Sequence, residues 1–201
     1  GEHVVINSFK RLGRTFIELT KQKHIFVFLL AFFFYIDGVY TVIDMATAYG
    51  QALGLDSTGL LLALLVTQIV AFPCVLIFSR LVKKISSETI ITICIAAYFC
   101  IAVYAYWLDT QFDFWLLAVL VGMFQGTIQA LSRSYFAKII PAEKSGEFFG
   151  IYDICGKGAS VIGTALVSVL SQLTGSINIG VSALSVMFLI GLVLFRFSAK
   201  I

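Results

Sequence analysis

The amino-acid sequence predicts an all-α, polytopic membrane protein with six transmembrane helices, and three observations predict it. Of 201 residues, 60% are hydrophobic and 12% are charged, where a soluble domain carries about 25% charged residues. Apolar runs of about 20 residues or more recur between short polar breaks, the length a helix needs to cross about 30 Å of hydrocarbon. The basic residues fall on alternate breaks, which is how a membrane sorts them. In lipid every backbone polar group needs a partner within its own segment, so these runs are helices.

Residues 1–23 read as a cytoplasmic amphipathic linker. They hold Lys10, Arg11, Arg14, Lys21 and Lys23, with Phe9, Leu12, Phe16 and Leu19 at near-helical spacing, a pattern that suits a helix lying on the membrane surface. The basic region is too long for a signal peptide, and no small-residue cleavage site follows the first apolar run.

A six-helix transmembrane domain over 24–201 follows, with spans predicted at 24–51, 58–82, 89–108, 114–138, 147–173 and 177–197. In the first, Asp37, Tyr40, Thr41, Asp44, Ala48 and Gln51 recur at spacings of three and four and share one helical face. The second holds Thr67, Gln68 and Pro73; the proline removes an internal hydrogen bond and is expected to bend the helix. The fourth carries a stripe of Gly122, Gln125, Gly126, Gln129, Ser132 and Arg133, and the fifth one of Asp153, Lys157, Ser160, Thr164, Ser168 and Ser171. The third and sixth have no interior charge and read as lipid-facing helices that brace the others. The first, fourth and fifth, with the second beside them, are expected to line an aqueous path.

Taking alternate breaks puts Arg80, Lys83, Lys84, Arg133, Lys138, Lys144, Arg196, Lys200 and the basic N-terminus on one side, and leaves no Lys or Arg on the other. That side is expected to be cytoplasmic, with both termini inside.

An ion inside an apolar span is costly to keep and asks for a function. Asp37 lies about 20 Å deep and Lys157 about 15 Å deep at 1.5 Å per residue, close enough in depth to pair. Asp37 reads either as a carboxylate that carries a proton or binds substrate, or as half of a static ion pair. Asp44 lies nearer the outer face, within reach of water. Asp153 stands four residues before Lys157, so the two have a local pair available; alternatively Asp153 meets Arg133 across helices as a gate. Tyr40, Thr41, Gln125, Gln129, Ser160 and Thr164 are the candidate cavity-lining residues. Gly122 and Gly126 form a G-x-x-x-G, which suits close helix packing or bending between states.

Several function classes fall away. His3 and His24 lie outside or at the edge of the first span, so an intramembrane serine protease has no histidine base. Arg ladders, a TVGYG-type filter and a G-x-x-x-x-G-K-[ST] loop are all missing from the sequence. Cys74, Cys94, Cys100 and Cys155 sit in apolar runs without C-x-x-C spacing and read as small hydrophobes, so no metal site and no cofactor is expected. No basic face suited to nucleic acid is formed.

Q-A-L-S-R-S-Y-F-A-K-I-I-P-A-E-K-S-G-E-F-F-G-I-Y-D-I-C-G-K-G, from Gln129 to Gly158, and Y-I-D-G-V-Y-T-V-I-D-M-A-T-A-Y-G in the first span resemble the bacterial permeases related to the fungal vacuolar amino-acid effluxer Atg22, within the major facilitator superfamily. The resemblance is to the C-terminal half of a 12-helix fold, helices seven to twelve, and it covers nearly the whole chain. It implies two six-helix halves around a central cavity, one rocking against the other. Ser79-Arg80-Leu81-Val82-Lys83-Lys84 resembles a worn copy of the superfamily's D-R-x-G-R-R loop, with Ser79 and Val82 as departures.

The reading expected is therefore the C-terminal half of a secondary active, proton-linked transporter of small polar solutes, with amino acids suggested by the resemblance alone. Its partners would be the lipid bilayer, the N-terminal six-helix half of the same transporter, a small polar substrate and a proton, and its place a bacterial inner membrane. The competing reading is a six-helix protein that works as a homodimer or scaffold without transport of its own.

Overall fold

The computed structural model describes residues 1–52 and 54–201, apart from the side chain of Thr47. Among these the chain is helical and contains no strand. The helices are α1 (Glu2–Lys21), α2 (Lys23–Ala52), α3 (Ser57–Leu81), α4 (Ser87–Tyr104), α5 (Gln111–Ile139), α6 (Ser145–Lys157), α7 (Val161–Thr174), α8 (Ile177–Ser182) and α9 (Leu184–Lys200). Six helical stretches are long and apolar enough to cross a membrane, three of them composite: α4 with the 3-10 turn Ala105–Trp107, α6 with α7, and α8 with α9.

The polar breaks do local work at the helix starts. Gly59 N donates to Asp56 Oδ1 at 2.8 Å, Thr89 N to Ser86 Oγ at 3.3 Å and Asp113 N to Thr110 Oγ1 at 3.1 Å. Each side chain satisfies an N–H that the helix itself leaves free, worth about 1 kcal/mol. α7 ends at Gly175, which turns left-handed at φ 72 and returns its N–H to Ser171 O at 2.8 Å.

The helix α2 is the hub. It packs most extensively on α9, and also on α5, α6, α7 and α1. Toward the end that carries the termini, its aromatic residues pack onto neighbouring helices: Phe32 stacks on Tyr152 at 4.3 Å, Phe28 meets Tyr135 tilted at 4.9 Å, and Tyr152 in turn stacks on Phe136 at 4.9 Å. Tyr35 Oη lies 2.6 Å from Ser132 Oγ, so the buried phenol has its partner on α5.

The third and sixth spans each bury one side in the bundle and turn another outward, with Ile93, Val186, Leu189, Val193 and Phe197 exposed. α9 wedges between α2 and α4, and Ile91, Cys94, Ile95, Tyr98, Leu184, Phe188 and Phe195 are fully buried. A small residue makes this possible: a Cβ on Gly191 would stand 3.1 Å from the backbone nitrogen of Tyr35, so α9 comes close only because that Cβ is missing. The most exposed span is α3, which runs unbroken through Pro73 and packs almost wholly on α5. Leu61, Leu62, Leu65, Ile69, Phe72, Leu76 and Ile77 all stand clear of the bundle. The G-x-x-x-G on α5 is a packing device: a Cβ at Gly122 would stand 2.6 Å from the Thr67 carbonyl oxygen of α3.

The amphipathic α1 folds back on the bundle instead of lying free. Leu19 is buried, Thr15 Oγ1 donates to Glu147 Oε2 at 3.0 Å, and Lys144 Nζ donates to Glu18 Oε2 at 2.5 Å. Phe9 and Phe16 remain exposed on its other side.

Candidate functional site

The fifth span, expected to be one helix over 147–173, is interrupted midway. α6 stops at Lys157 and α7 starts at Val161. Gly156, Gly158 and Ser160 are weak helix formers, and Ser160 adopts the left-handed conformation at φ 80, which costs a non-glycine residue about 1–3 kcal/mol and persists only when neighbours over-determine it. The neighbour that does so is Asp37.

Asp37 lies midway along α2 and is fully buried. Its Oδ1 accepts from Ser160 N at 2.9 Å and Gly163 N at 3.0 Å, and from Thr41 Oγ1 at 3.4 Å. The carboxylate thus caps α7 from another helix, where an anion meets free N–H groups and the positive end of the helix dipole. Gly163 permits this approach, since a Cβ there would overlap Thr41 Oγ1 and stand 2.9 Å from Asp37 Oδ1. Asp37 Oδ2 is buried and has no hydrogen-bond partner among the described residues.

Beside Asp37, but not lined by it, an open concavity of about 610 Å³ lies between α2, α5 and α6. Ile36 and Tyr40 of α2, Gln129 and Arg133 of α5, and Tyr152, Asp153 and Lys157 of α6 face it. Arg133 Nη1 donates to Asp153 Oδ1 at 3.0 Å, and its guanidinium lies 4.9 Å from the centre of the Phe149 ring and 5.7 Å from that of Tyr152. The pair is partly exposed, and such pairs contribute about 0–1 kcal/mol to stability. Its value is positional: it ties α5 to α6 across the mouth of the concavity.

Residues 1–200 match the family described as "Vacuole effluxer Atg22 like". This chain belongs to that family. The Atg22-like chain is 49% identical over 195 residues to a protein of Bacillus subtilis (strain 168) described as an uncharacterised MFS-type transporter, YxiO, covering 97% of the chain and 46% of that protein. It is 29% identical over 180 residues to autophagy-related protein 22 of Saccharomyces cerevisiae (strain ATCC 204508 / S288c), covering 83% of the chain and 34% of that protein. With autophagy-related protein 22-1 of Aspergillus niger it shares 28% identity over 203 residues, which is 92% of the chain and 33% of the relative. The chain therefore spans less than half the length of these curated relatives.

Within this Atg22-like fold the candidate residues separate into groups. Tyr40, Gln129, Arg133, Asp153 and Lys157 share the concavity. Asp37, Thr41 and Ser160 form the buried cap beside it, Ser160 through its backbone N–H. Thr164 is half-buried in the first turn of α7 and bonds back to Ser160 O through its own N–H at 2.9 Å. Gln125 turns the other way, into an apolar cavity of about 90 Å³ that it shares with Tyr49 and Thr67. Asp44 is exposed on α2, and Arg80, Lys83 and Lys84 are exposed at and just beyond the end of α3.

Two expected pairs do not form among the described residues. Lys157 is exposed on the concavity and makes no ion pair with Asp37 or with Asp153. The interruption explains the first: past Lys157 the chain leaves the helix, and backbone N–H groups reach Asp37 in place of the ammonium. The second gives way to Arg133, which takes Asp153 from across the groove. The cap itself escaped the sequence reading, although Gly156, Gly158 and Ser160 within one span were its signal.

Proposed function

We propose that this chain is the C-terminal six-helix half of a secondary active, proton-coupled transporter that moves a small polar solute by alternating access, with amino acids the first class to test. The observation that carries the reading is Asp37, a buried carboxylate holding the start of α7 beside a polar concavity. Interrupted helices with an ionisable group at the break serve secondary transporters because the freed backbone groups meet ligands or ions there. A relative described as an MFS-type transporter and a family described as vacuole effluxer Atg22 like support transport as the activity of the whole protein.

In this reading the N-terminal half closes the concavity from the opposite side, and both termini lie in the cytoplasm of a bacterial cell. Asp37 Oδ2 is the atom that takes the proton, since Oδ1 is occupied by α7. An ionised carboxylate accepts stronger hydrogen bonds than a neutral carboxyl group. Protonation therefore loosens the grip of α2 on α7, and deprotonation restores it.

The test uses the full-length protein in proteoliposomes, with accumulation of ¹⁴C-labelled L-amino acids driven by an imposed pH gradient. Asp37→Asn keeps an acceptor for the two N–H groups and removes the titrating site. It is expected to abolish gradient-driven accumulation while folded protein is retained. Unchanged accumulation with the same pH dependence would remove Asp37 from the coupling.

A further inference from the structure

We propose that Lys157 receives the carboxylate of the transported solute, so that the wall contributed by this chain selects small organic carboxylates. The inference rests on the transport reading above and adds the residue that recognises the solute and the group of the solute that it reads.

The concavity holds three charged side chains, Arg133, Asp153 and Lys157. Asp153 is engaged by Arg133 at 3.0 Å, and the Arg133 guanidinium is further held against the Phe149 and Tyr152 rings. Lys157 is exposed into the same space and has no carboxylate within ion-pairing distance among the described residues. Two cations therefore face one anion, and the surplus positive charge is carried by a flexible side chain.

Depth makes this surplus informative. Lys157 ends α6 twelve residues after Ser145, a rise of about 18 Å along the helix axis, which reaches well into a hydrocarbon layer about 30 Å thick when α6 enters that layer near Ser145. An ammonium kept at that depth faces water or an anionic partner, because lipid would expel it. The carbonyl end of α6 steadies it there without neutralising it. Asp37, the other carboxylate at this depth, gives Oδ1 to the backbone of α7 and does not line the concavity. A solute with a carboxylate completes the charge balance of this wall, with Tyr40 and Gln129 beside it to hold the remainder. A solute ammonium finds no unengaged carboxylate on the same wall.

The experiment uses the full-length protein in proteoliposomes. Uptake is measured for ¹⁴C-labelled L-amino acids, lactate and succinate, and for the carboxylate-free solutes glycerol, glucose and putrescine. The solute taken up best is then competed with its carboxamide and, where it has an amine, its N-acetyl derivative. The best solute is expected to be a carboxylate, with its carboxamide competing about tenfold or more weakly and its N-acetyl derivative competing well. Lys157→Gln is expected to raise KM about tenfold or more and to erase the preference for acid over amide, while Lys157→Arg keeps both. A best solute without a carboxylate overturns the inference. So does Lys157→Gln with the wild-type KM and the wild-type preference, an outcome that leaves the transport reading standing. Wild-type vesicles that take up no solute in the panel overturn the transport reading, and this inference with it.

Discussion

Gly163 N donates to Asp37 Oδ1 at 3.0 Å, so a carboxylate midway along α2 closes the first turn of α7. The fifth span can be interrupted at mid-bundle because another helix supplies the acceptor that the broken helix lacks.

Replacing Asp37 should test how much of the stability of this break rests on the cap. Asp37→Ala leaves the Ser160 and Gly163 N–H groups without their acceptor and is expected to lower stability by about 2–6 kcal/mol, from two buried donors left unpaired. Asp37→Asn keeps the acceptor and should lose less than half of that. Thermal unfolding of the purified full-length protein in detergent measures both.

Gly163→Ala places a methyl group where Thr41 Oγ1 and Asp37 Oδ1 already stand. The expected cost is about 1–3 kcal/mol, as for other overpacked interiors. The cap should open with it, seen as faster hydrogen exchange at Ser160 and Gly163. Unchanged exchange at those two amides would count against the cap.

On α5 the two glycines should respond differently to the same change. Gly122→Ala meets the Thr67 backbone, which can yield only by moving α3, whereas Gly126→Ala meets a single methyl of Val75. Gly122→Ala is expected to lose about 1–3 kcal/mol and Gly126→Ala less. Equal losses in thermal unfolding would mean that α3 and α5 are not held at this point.

Arg133 and Asp153 are each about half exposed, with side-chain exposures of 57% and 47%, so either single substitution should change stability by no more than about 1 kcal/mol. Their effect is expected in uptake by the full-length protein. Arg133→Asp and Asp153→Arg should each impair it, and the combined exchange should restore a large part. Two impaired single variants with no recovery in the double variant would remove the pair as a unit.

Much of this architecture can be read from the chain, because hydrocarbon thickness imposes a length on every helix and makes every ion conspicuous. Asp56, Ser86 and Thr110 stand in the polar breaks between the spans and act as caps. The stripe of Gln129 and Arg133 on α5, with Asp153 and Lys157 on α6, does meet in one concavity, since residues three and four apart share a face. The meeting of Arg133 with Asp153 was one of two pairings that the spacing allowed, and the groove between α5 and α6 chose it.

What the sequence by itself determined was the class of structure: six apolar helical spans, and an acidic residue within one of them that needs a reason to exist. What only the tertiary structure decided was who meets whom. Which faces of α9 and α4 lie against the bundle is not legible in hydropathy, which cannot distinguish lipid from protein as an apolar neighbour, and Gly191 lets α9 close on α2. Asp37 found the amides of Ser160 and Gly163 in place of Lys157 because a break of three residues redirects the chain. Backbone groups carry no letter in a sequence, so a site built from them appears only when the helices are packed.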